Sequence, residues 1–196
     1  MAEDLQFARL VALACHDIRT PLATVHGFAK TLARMPELED PVARYVGMID
    51  AASDQIADLL DELGLAARIA EGRYEPALRE LDTLELARTV AERLGDERVR
   101  VTGDGAAVHV DVEAVERGVT ALVRSALRHG GLEQVDVRVE GPELGVSPIT
   151  DSSEQVVTGR DLRDLGAAVA VRLLEALGGS ASVEDETLRV RLPQAS

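Results

Sequence analysis

Apolar residues recur every three or four positions along the first third of the chain, which is the spacing of one face of an α-helix. One such run covers residues 5–32 and a second covers residues 42–63, with Pro36 and Pro41 between them. Because proline interrupts helices, we expect two long helices joined by a short turn, as an antiparallel hairpin. A hairpin alone cannot cover both apolar faces, so the pattern predicts a homodimer in which two hairpins form a four-helix bundle.

The hydrophobic pattern changes near Gly72 and Pro76. Alternating apolar and polar residues predict three strands, at residues 98–101, 135–139 and 188–192. Helical spacing predicts three helices, at residues 84–94, 112–128 and 162–177, the last of which ends at Gly178 and Gly179. These elements indicate helices on one face of a mixed sheet. We therefore expect an α+β chain with a helical domain over residues 1–72, a sandwich domain over residues 73–196 and a flexible loop over residues 141–159.

The charge of the chain narrows its range of partners. Its 196 residues include 21 Lys plus Arg and 35 Asp plus Glu, a formal net charge of −14, and only 2% are aromatic. This charge repels nucleic acid and anionic lipid, and few rings are present to stack on bases, so we expect no nucleic-acid or membrane partner. The single cysteine, Cys15, excludes an internal disulfide. With no apolar run of about 20 residues and no signal peptide, we expect a cytoplasmic protein.

The heptapeptide HDIRTPL, residues 16–22, places ionisable residues and a proline within the first helical run. At helical spacing, His16, Asp17 and Thr20 lie along one edge of the helix. A neutral imidazole is a nucleophile toward phosphorus, and the Asp17 carboxylate can accept its N–H and fix the tautomer. Pro21 cannot donate the helical hydrogen bond to the Asp17 carbonyl, so we expect a bend that exposes the site. The alternative is a surface histidine with a chance acidic neighbour.

HDIRTPL, in a long helix that precedes a hairpin turn, resembles the phosphoacceptor box of bacterial two-component histidine kinases, and the similarity continues through HGFAKTL. In that family the histidine carries the phosphoryl group and the next acidic residue assists proton transfer. The threonine four positions after the histidine positions a water for dephosphorylation of the partner. The resemblance implies these roles for His16, Asp17 and Thr20, with Arg19 and Pro21 as supporting residues of the box.

The remainder of the chain resembles the ATP-binding domain of the same kinases, in YEPALRELDTLELARTVAERL and again in DLGAAVAVRLLEALGG. The resemblance implies an α/β sandwich of the histidine-kinase ATPase type. The segment ALVRSALRHGG resembles the N box, but Ser125 stands where the family has the asparagine that holds Mg²⁺. Arg128, His129 and Gly130 keep the usual basic residues and small cap, although such a helix is also ordinary amphipathic packing.

The first glycine box of the family normally supplies an aspartate that binds the adenine amino group. The counterpart in this chain is VEGPELG, which has no aspartate and offers only Glu140 or Glu143. A different alignment makes Asp136 or Asp151 the counterpart.

The second glycine box also departs from the family pattern. Gly166 is retained, but Leu162 and Asp164 replace glycines that allow the backbone to approach the phosphates. The Asp164 carboxylate would also repel a phosphate. We therefore expect a degenerate nucleotide site that does not bind ATP.

Together these features predict a histidine phosphotransferase, which carries a phosphoryl group on His16 to or from the aspartates of response-regulator receiver domains. Autokinase activity is not expected. The protein itself would need no cofactor, with Mg²⁺ bound by the partner receiver and ATP used only in the kinase alternative. The alternatives are an active ATP-dependent sensor histidine kinase core and a non-catalytic pseudokinase scaffold that binds a receiver or a kinase. No metal site is expected, because the four histidines are scattered and His16 and His26 lie about 280° apart around a helix.

Overall fold

A computed structural model describes residues 2–35 and 40–193, in two compact units, Met1–Tyr74 and Glu75–Ser196. The first unit contains α1 (Ala2–Ala33) and α2 (Asp40–Ala70). Ion pairs join residue 19 to residue 61 and residue 26 to residues 50 and 54, so the helices run antiparallel as predicted. Pro36, expected in the turn, lies outside the described residues, and Pro41 lies in the first turn of α2, where proline is tolerated.

The hairpin buries little apolar surface within itself. Among its residues with described side chains, the buried apolar ones are few and mostly small: Ala8, Cys15, Ala29, Val46, Leu60, Leu65 and Ala67. Many of its large apolar side chains are exposed, among them Phe7, Leu10, Leu13, Phe28, Tyr45, Met48, Ile49, Ile56 and Leu59. Each helix therefore carries more apolar residues than the other helix covers.

The second unit is built on a five-stranded mixed sheet. Its strands are β2 (Val99–Gly105), β4 (Val135–Gly141), β5 (Glu143–Ser147), β6 (Ser180–Glu184) and β7 (Thr187–Arg191). The spatial order is β2-β4-β5-β7-β6, with β2 and β4 parallel and the other neighbours antiparallel. A separate antiparallel pair joins β1 (Leu78–Asp82) to β3 (Ala107–Asp111). The strands predicted at 98–101, 135–139 and 188–192 correspond to β2, β4 and β7.

The helices of this unit are α3 (Thr83–Leu94), α4 (Val112–Gly130), α5 (Asp151–Val157) and α6 (Leu165–Ala176). Aspartate side chains cap three of them: Asp82 accepts from two N–H groups of α3, Asp111 from Ala114 in α4, and Asp164 from Ala167 in α6. The helix predicted from residue 162 begins at residue 165 because Asp164 is its cap. As predicted, Gly178 and Gly179 end this helix, and the Gly179 N–H donates to a carbonyl of its last turn.

The core of the second unit lies between one face of the sheet and the helices. Along β4, Val135, Val137 and Val139 are buried while the residues between them are exposed. These valines pack in one cluster with Leu86 of α3 and Leu122 of α4, among other buried residues. The opposite face of the sheet is polar, so helices cover one face, as the sequence predicts.

The expectation of a flexible loop over residues 141–159 is wrong. This segment contains β5 and α5. In β5, Leu144 and Val146 are buried in the core, and the strand pairs with β4 on one side and β7 on the other. In α5, Val156 and Val157 are buried. Ser, Thr and Gly suggested a loop, but Thr150 serves as a helix cap and the apolar alternation of β5 is only two residues long.

Candidate functional site

The phosphoacceptor box lies on the exposed side of α1. His16 Nδ1 lies 3.3 Å from Asp17 Oδ1, and the two side chains are 78% and 69% exposed. An ionised carboxylate only accepts hydrogen bonds, so Nδ1 carries the proton that it accepts. In the neutral imidazole this leaves a free lone pair on Nε2, the nitrogen that points away from Asp17. The pair therefore presents a nucleophilic nitrogen to solvent.

The orientation of His16 follows from the preceding residue. Cys15 is 4% exposed and belongs to the packed side of α1. Successive helical residues are about 100° apart, so His16 and Asp17 turn away from the buried side. Thr20 is also exposed, one turn after His16. The buried side of α1 therefore packs within the hairpin, while His16, Asp17 and Thr20 are accessible to a partner protein.

Arg19 and Pro21 have separate structural roles. Arg19 Nη2 donates to Asp61 Oδ1 of α2 at 2.8 Å, which ties the box to the second helix. Sequence periodicity alone did not reveal this partner. Pro21 lies inside α1, which continues as a helix on both sides, and its lack of an N–H leaves the Asp17 carbonyl without its helical donor. The bend expected at Pro21 stays a prediction.

A second cluster of predicted residues forms at the N-terminus of α6. Arg128 Nη2 donates to Asp164 Oδ2 at 2.7 Å, and His129 Nε2 lies 3.2 Å from the same oxygen. The other carboxylate oxygen accepts the N–H of Ala167. The Ser125 Oγ is buried beside them and makes no hydrogen bond at standard geometry. The structure therefore brings together Ser125, Arg128 and Asp164 from helices that are far apart in sequence.

The neighbours of Asp164 favour its charged form. Burial raises the pKa of this carboxyl, but the Ala167 N–H, the Ser125 hydroxyl and Arg128 together hold the pKa below its usual range. Asp164 is therefore an anion held by two cationic or polar side chains and by a helix N-terminus. Those are the groups that would hold a phosphate in a nucleotide site.

The N-terminus of α6 already holds an anion, the Asp164 carboxylate. The carboxylate of Asp164 already accepts from Arg128 and from the first turn of α6, where Gly166 lies. A triphosphate at this helix end would meet the negative charge of Asp164. Ser125 has one hydroxyl, shorter than the asparagine of the family, for holding Mg²⁺.

Glu140 is separated from this cluster, which corrects its grouping with the nucleotide site. It lies on β4 next to the buried Val139, so its side chain is on the sheet face that the helices do not cover. There it pairs with Arg138 at 2.7 Å. The segment VEGPELG is the turn from β4 to β5. Asp136, on the same strand, shares the exposed face with Glu140.

The segment that approaches the end of α4 comes after β5 instead. The Ser152 hydroxyl donates to the carbonyl of His129 at 2.8 Å, and Thr150 caps α5 beside Gly130. Asp151, the other alternative for the first glycine box, lies in this segment and is exposed. The alternation of buried residues in β4 was the sequence signal that places Glu140 on the exposed face of the sheet.

Comparison with known proteins identifies the family that the hairpin matches. Residues 8–72 match the His Kinase A (phospho-acceptor) domain family. Sensor histidine kinase TrcS of Mycobacterium tuberculosis is 25% identical, in an alignment that covers 97% of this chain and 44% of the relative.

Two solved structures share the fold. The crystal structure of full-length ShkA in complex with AMPPNP has a TM-score of 0.72 and 20% identity, and the match covers 96% of this chain and 46% of that one. Histidine kinase AdeS of Acinetobacter baumannii has a TM-score of 0.58 and 14% identity, with 92% and 98% covered.

The matches define the class as a phosphoacceptor helical hairpin followed by a histidine-kinase ATPase-like domain. Residues 8–72 thus match the phosphoacceptor family, and the chain is similar along most of its length to sensor histidine kinases. It spans less than half the length of the curated relatives that it matches, such as 44% of TrcS. Among the residues that the structure describes, none of the helices is long and apolar enough to cross a membrane.

Proposed function

We propose that the chain is a phosphohistidine carrier that exchanges phosphoryl groups with the aspartates of response-regulator receivers. The observation that carries the proposal is the Asp164 carboxylate, which lies on Arg128 and on the N-terminus of α6. With this anion in place, the N-terminus of α6 is not available to a nucleotide phosphate, while His16 and Asp17 remain exposed. The phosphoryl group then has to reach His16 from another phosphoprotein.

The exposed pair suits direct transfer. His16 Nε2 attacks the phosphorus of a receiver's phosphoaspartate, the N–P bond forms, and the P–O bond to the aspartate breaks. The aspartate leaves as a carboxylate with the bonding electron pair. His16 becomes an N-phosphorylated imidazolium that keeps its Nδ1 proton, and Asp17, at 3.3 Å, stabilises the positive charge. The reverse sequence delivers the group to a second receiver.

The remaining roles follow from this chemistry. Mg²⁺ is bound by the receiver, where it neutralises the transferring group. Thr20 acts one turn from His16, where it positions water for dephosphorylation of the receiver, as in the family. The ATPase-like domain acts as a docking surface. In this proposal the hairpin, residues 1–72, carries the phosphoryl group, and the ATPase-like domain, residues 73–196, binds the receiver.

We also propose that the carrier is a homodimer. The apolar side chains that the hairpin leaves exposed lie on both helices, and several are large, such as Phe7 and Phe28 at 69% and 67% exposure. A surface of this kind is typical of an interface between chains. Two hairpins that share these faces form a four-helix bundle about a two-fold axis.

The second candidate is an ATP-dependent histidine kinase core, and the comparisons favour it over the carrier. Curated relatives along most of the chain are named as sensor histidine kinases, and one structure of the same fold holds AMPPNP. The phosphoacceptor box serves this candidate equally well.

Nucleotide binding separates the two candidates. Isothermal calorimetry of the full chain with Mg·AMPPNP is expected to give no saturable heat at millimolar nucleotide. Asp164→Asn, which removes the negative charge from the α6 N-terminus, is the matched variant and is expected to bind nucleotide more tightly than the wild type. Saturable binding by the wild type, unchanged in the variant, would favour the kinase.

A further inference from the structure

A histidine of α1 faces two carboxylates of α2 beyond the phosphoacceptor box. His26 Nε2 lies 3.3 Å from Asp50 Oδ1 and 3.4 Å from Asp54 Oδ1. The three atoms all lie within 4.8 Å of one another. Asp50 and Asp54 are one helical turn apart, so α2 presents both carboxylates from the same side. The arrangement gathers one nitrogen and two oxygens from two helices around one point.

The central atoms of this cluster are buried without hydrogen bonds. His26 Nε2 and Asp50 Oδ1 are hidden from solvent, and neither makes a hydrogen bond at standard geometry. Buried polar atoms are normally satisfied, because an unpaired one loses its hydration and gains nothing in return. The two atoms form an ion-pair contact at 3.3 Å that lacks hydrogen-bond geometry, so both remain available as ligands of a third group.

The spacing fits a small metal ion. In a tetrahedral zinc site with bonds of about 2.1 Å, neighbouring ligand atoms stand about 3.4 Å apart. The two distances from His26 Nε2, 3.3 and 3.4 Å, are of this length. Two carboxylates and a neutral imidazole also balance the charge of a divalent ion.

The type of ligand selects the ion. Imidazole nitrogen with carboxylate oxygens suits zinc and similar transition ions, whereas calcium and magnesium prefer oxygen ligands in larger number. Three protein ligands leave a fourth position for water. Asp54 is 58% exposed, so this position opens to solvent.

We propose that His26, Asp50 and Asp54 bind a divalent transition ion of the zinc type, which clamps α1 to α2. The site is separate from the phosphoacceptor box and does not depend on the proposed transfer of phosphoryl groups. His26 is ten residues after His16, about 15 Å along the helix axis. The ion therefore stabilises the hairpin without contact with the reacting histidine.

Cobalt provides a spectroscopic probe for the test. The full chain is stripped with a chelator, titrated with Co²⁺, and then titrated with Zn²⁺ while the visible d–d absorption is followed. We expect one Co²⁺ per chain with the strong absorption of a tetrahedral site, and its loss as Zn²⁺ displaces it. His26→Gln and Asp54→Asn are each expected to weaken binding at least tenfold. His109→Gln, at an exposed histidine of β3, is the matched control and is expected to bind normally.

Circular dichroism is used to check that each variant folds. Asp54 is exposed, so Asp54→Asn is expected to fold even if His26→Gln does not. Absence of saturable Co²⁺ and Zn²⁺ binding at micromolar concentration would overturn the proposal, and would indicate a protonated His26 in a plain ion pair. Binding that survives both substitutions would overturn it as well. Since no phosphoryl transfer is measured, neither result bears on the carrier function.

Discussion

Asp164→Asn removes one negative charge while keeping a side chain that caps helices about as well as aspartate. The variant loses the ion pair with Arg128, at 2.7 Å, and the attraction of a carboxylate to the N-terminus of α6. Arg128 is 59% exposed. The ion pair therefore contributes no more than about 1 kcal/mol, and the helix dipole adds about 0.5 kcal/mol. We expect the free energy of unfolding to fall by about 1 kcal/mol. Asp164→Ala also removes the cap and is expected to cost about 2 kcal/mol in total.

Urea unfolding with two probes measures this loss. Both tyrosines, Tyr45 and Tyr74, lie in the unit Met1–Tyr74, and the chain has no tryptophan. Tyrosine fluorescence therefore reports the hairpin, while circular dichroism reports both units. The Asp164 variants are expected to shift the transition seen only by circular dichroism and to leave the fluorescence transition in place.

The difference in unfolding free energy between wild type and Asp164→Asn is expected to depend on pH. The folded-state pKa of Asp164 lies below its ordinary value of 3.8, so its charge stabilises the fold fully above that pH. The advantage over Asp164→Asn is lost as the pH falls below 3.8 and through the folded-state pKa. Equal stability of wild type and Asp164→Asn at pH 7 would show that the carboxylate gains nothing from Arg128 or from the N-terminus of α6.

Three further substitutions test other parts of the molecule. Gly103→Ala is expected to destabilise the second unit by more than about 2 kcal/mol, because Gly103 has φ 101° and a Cβ would overlap the backbone of β4. Gly131→Ala, at φ 64° with open space around it, is expected to cost only about 1 kcal/mol; equal losses in urea unfolding would contradict the overlap. Arg19→Met removes a half-exposed ion pair with Asp61, and we expect it to lower the unfolding free energy of the hairpin by about 0.5 kcal/mol. Urea unfolding followed by tyrosine fluorescence measures this change, and a loss several times larger would show that solvent does not screen the ion pair. Asp17→Ala is expected to slow phosphoryl transfer at least about tenfold, because the imidazole loses the group that fixes its tautomer; an unchanged rate with intact circular dichroism would contradict this role.

Strong periodicity made the helices and the main strands predictable. The long apolar repeats of α1 and α2 and the glycines after α6 needed no tertiary information. β5 was missed because only Leu144 and Val146 carry its alternation, and its neighbours Gly145 and Ser147 are typical of loops. Its place between β4 and β7 comes from pairing with distant strands, which local sequence does not encode.

The candidate site was predictable where it is local. His16 and Asp17 are adjacent, so their contact follows from helical geometry. The partner of Asp164 was not predictable, because Arg128 lies 36 residues earlier and meets it only when α4 and α6 pack together. The spacing of the histidines alone indicates no metal site. The contact of His26 with Asp50 and Asp54 depends on how α1 and α2 align, which the sequence does not show.

The source of the phosphoryl group on His16 distinguishes a carrier from a kinase. The full chain is incubated with radiolabelled Mg·ATP and, separately, with purified receiver domains charged by labelled acetyl phosphate. The label on protein is tested for the acid lability of phosphohistidine, with His16→Gln as the control. For a phosphohistidine carrier we expect label on His16 from a charged receiver, none from ATP, and none in the variant in either reaction. Label on His16 from ATP alone would contradict it and identify the chain as a kinase core.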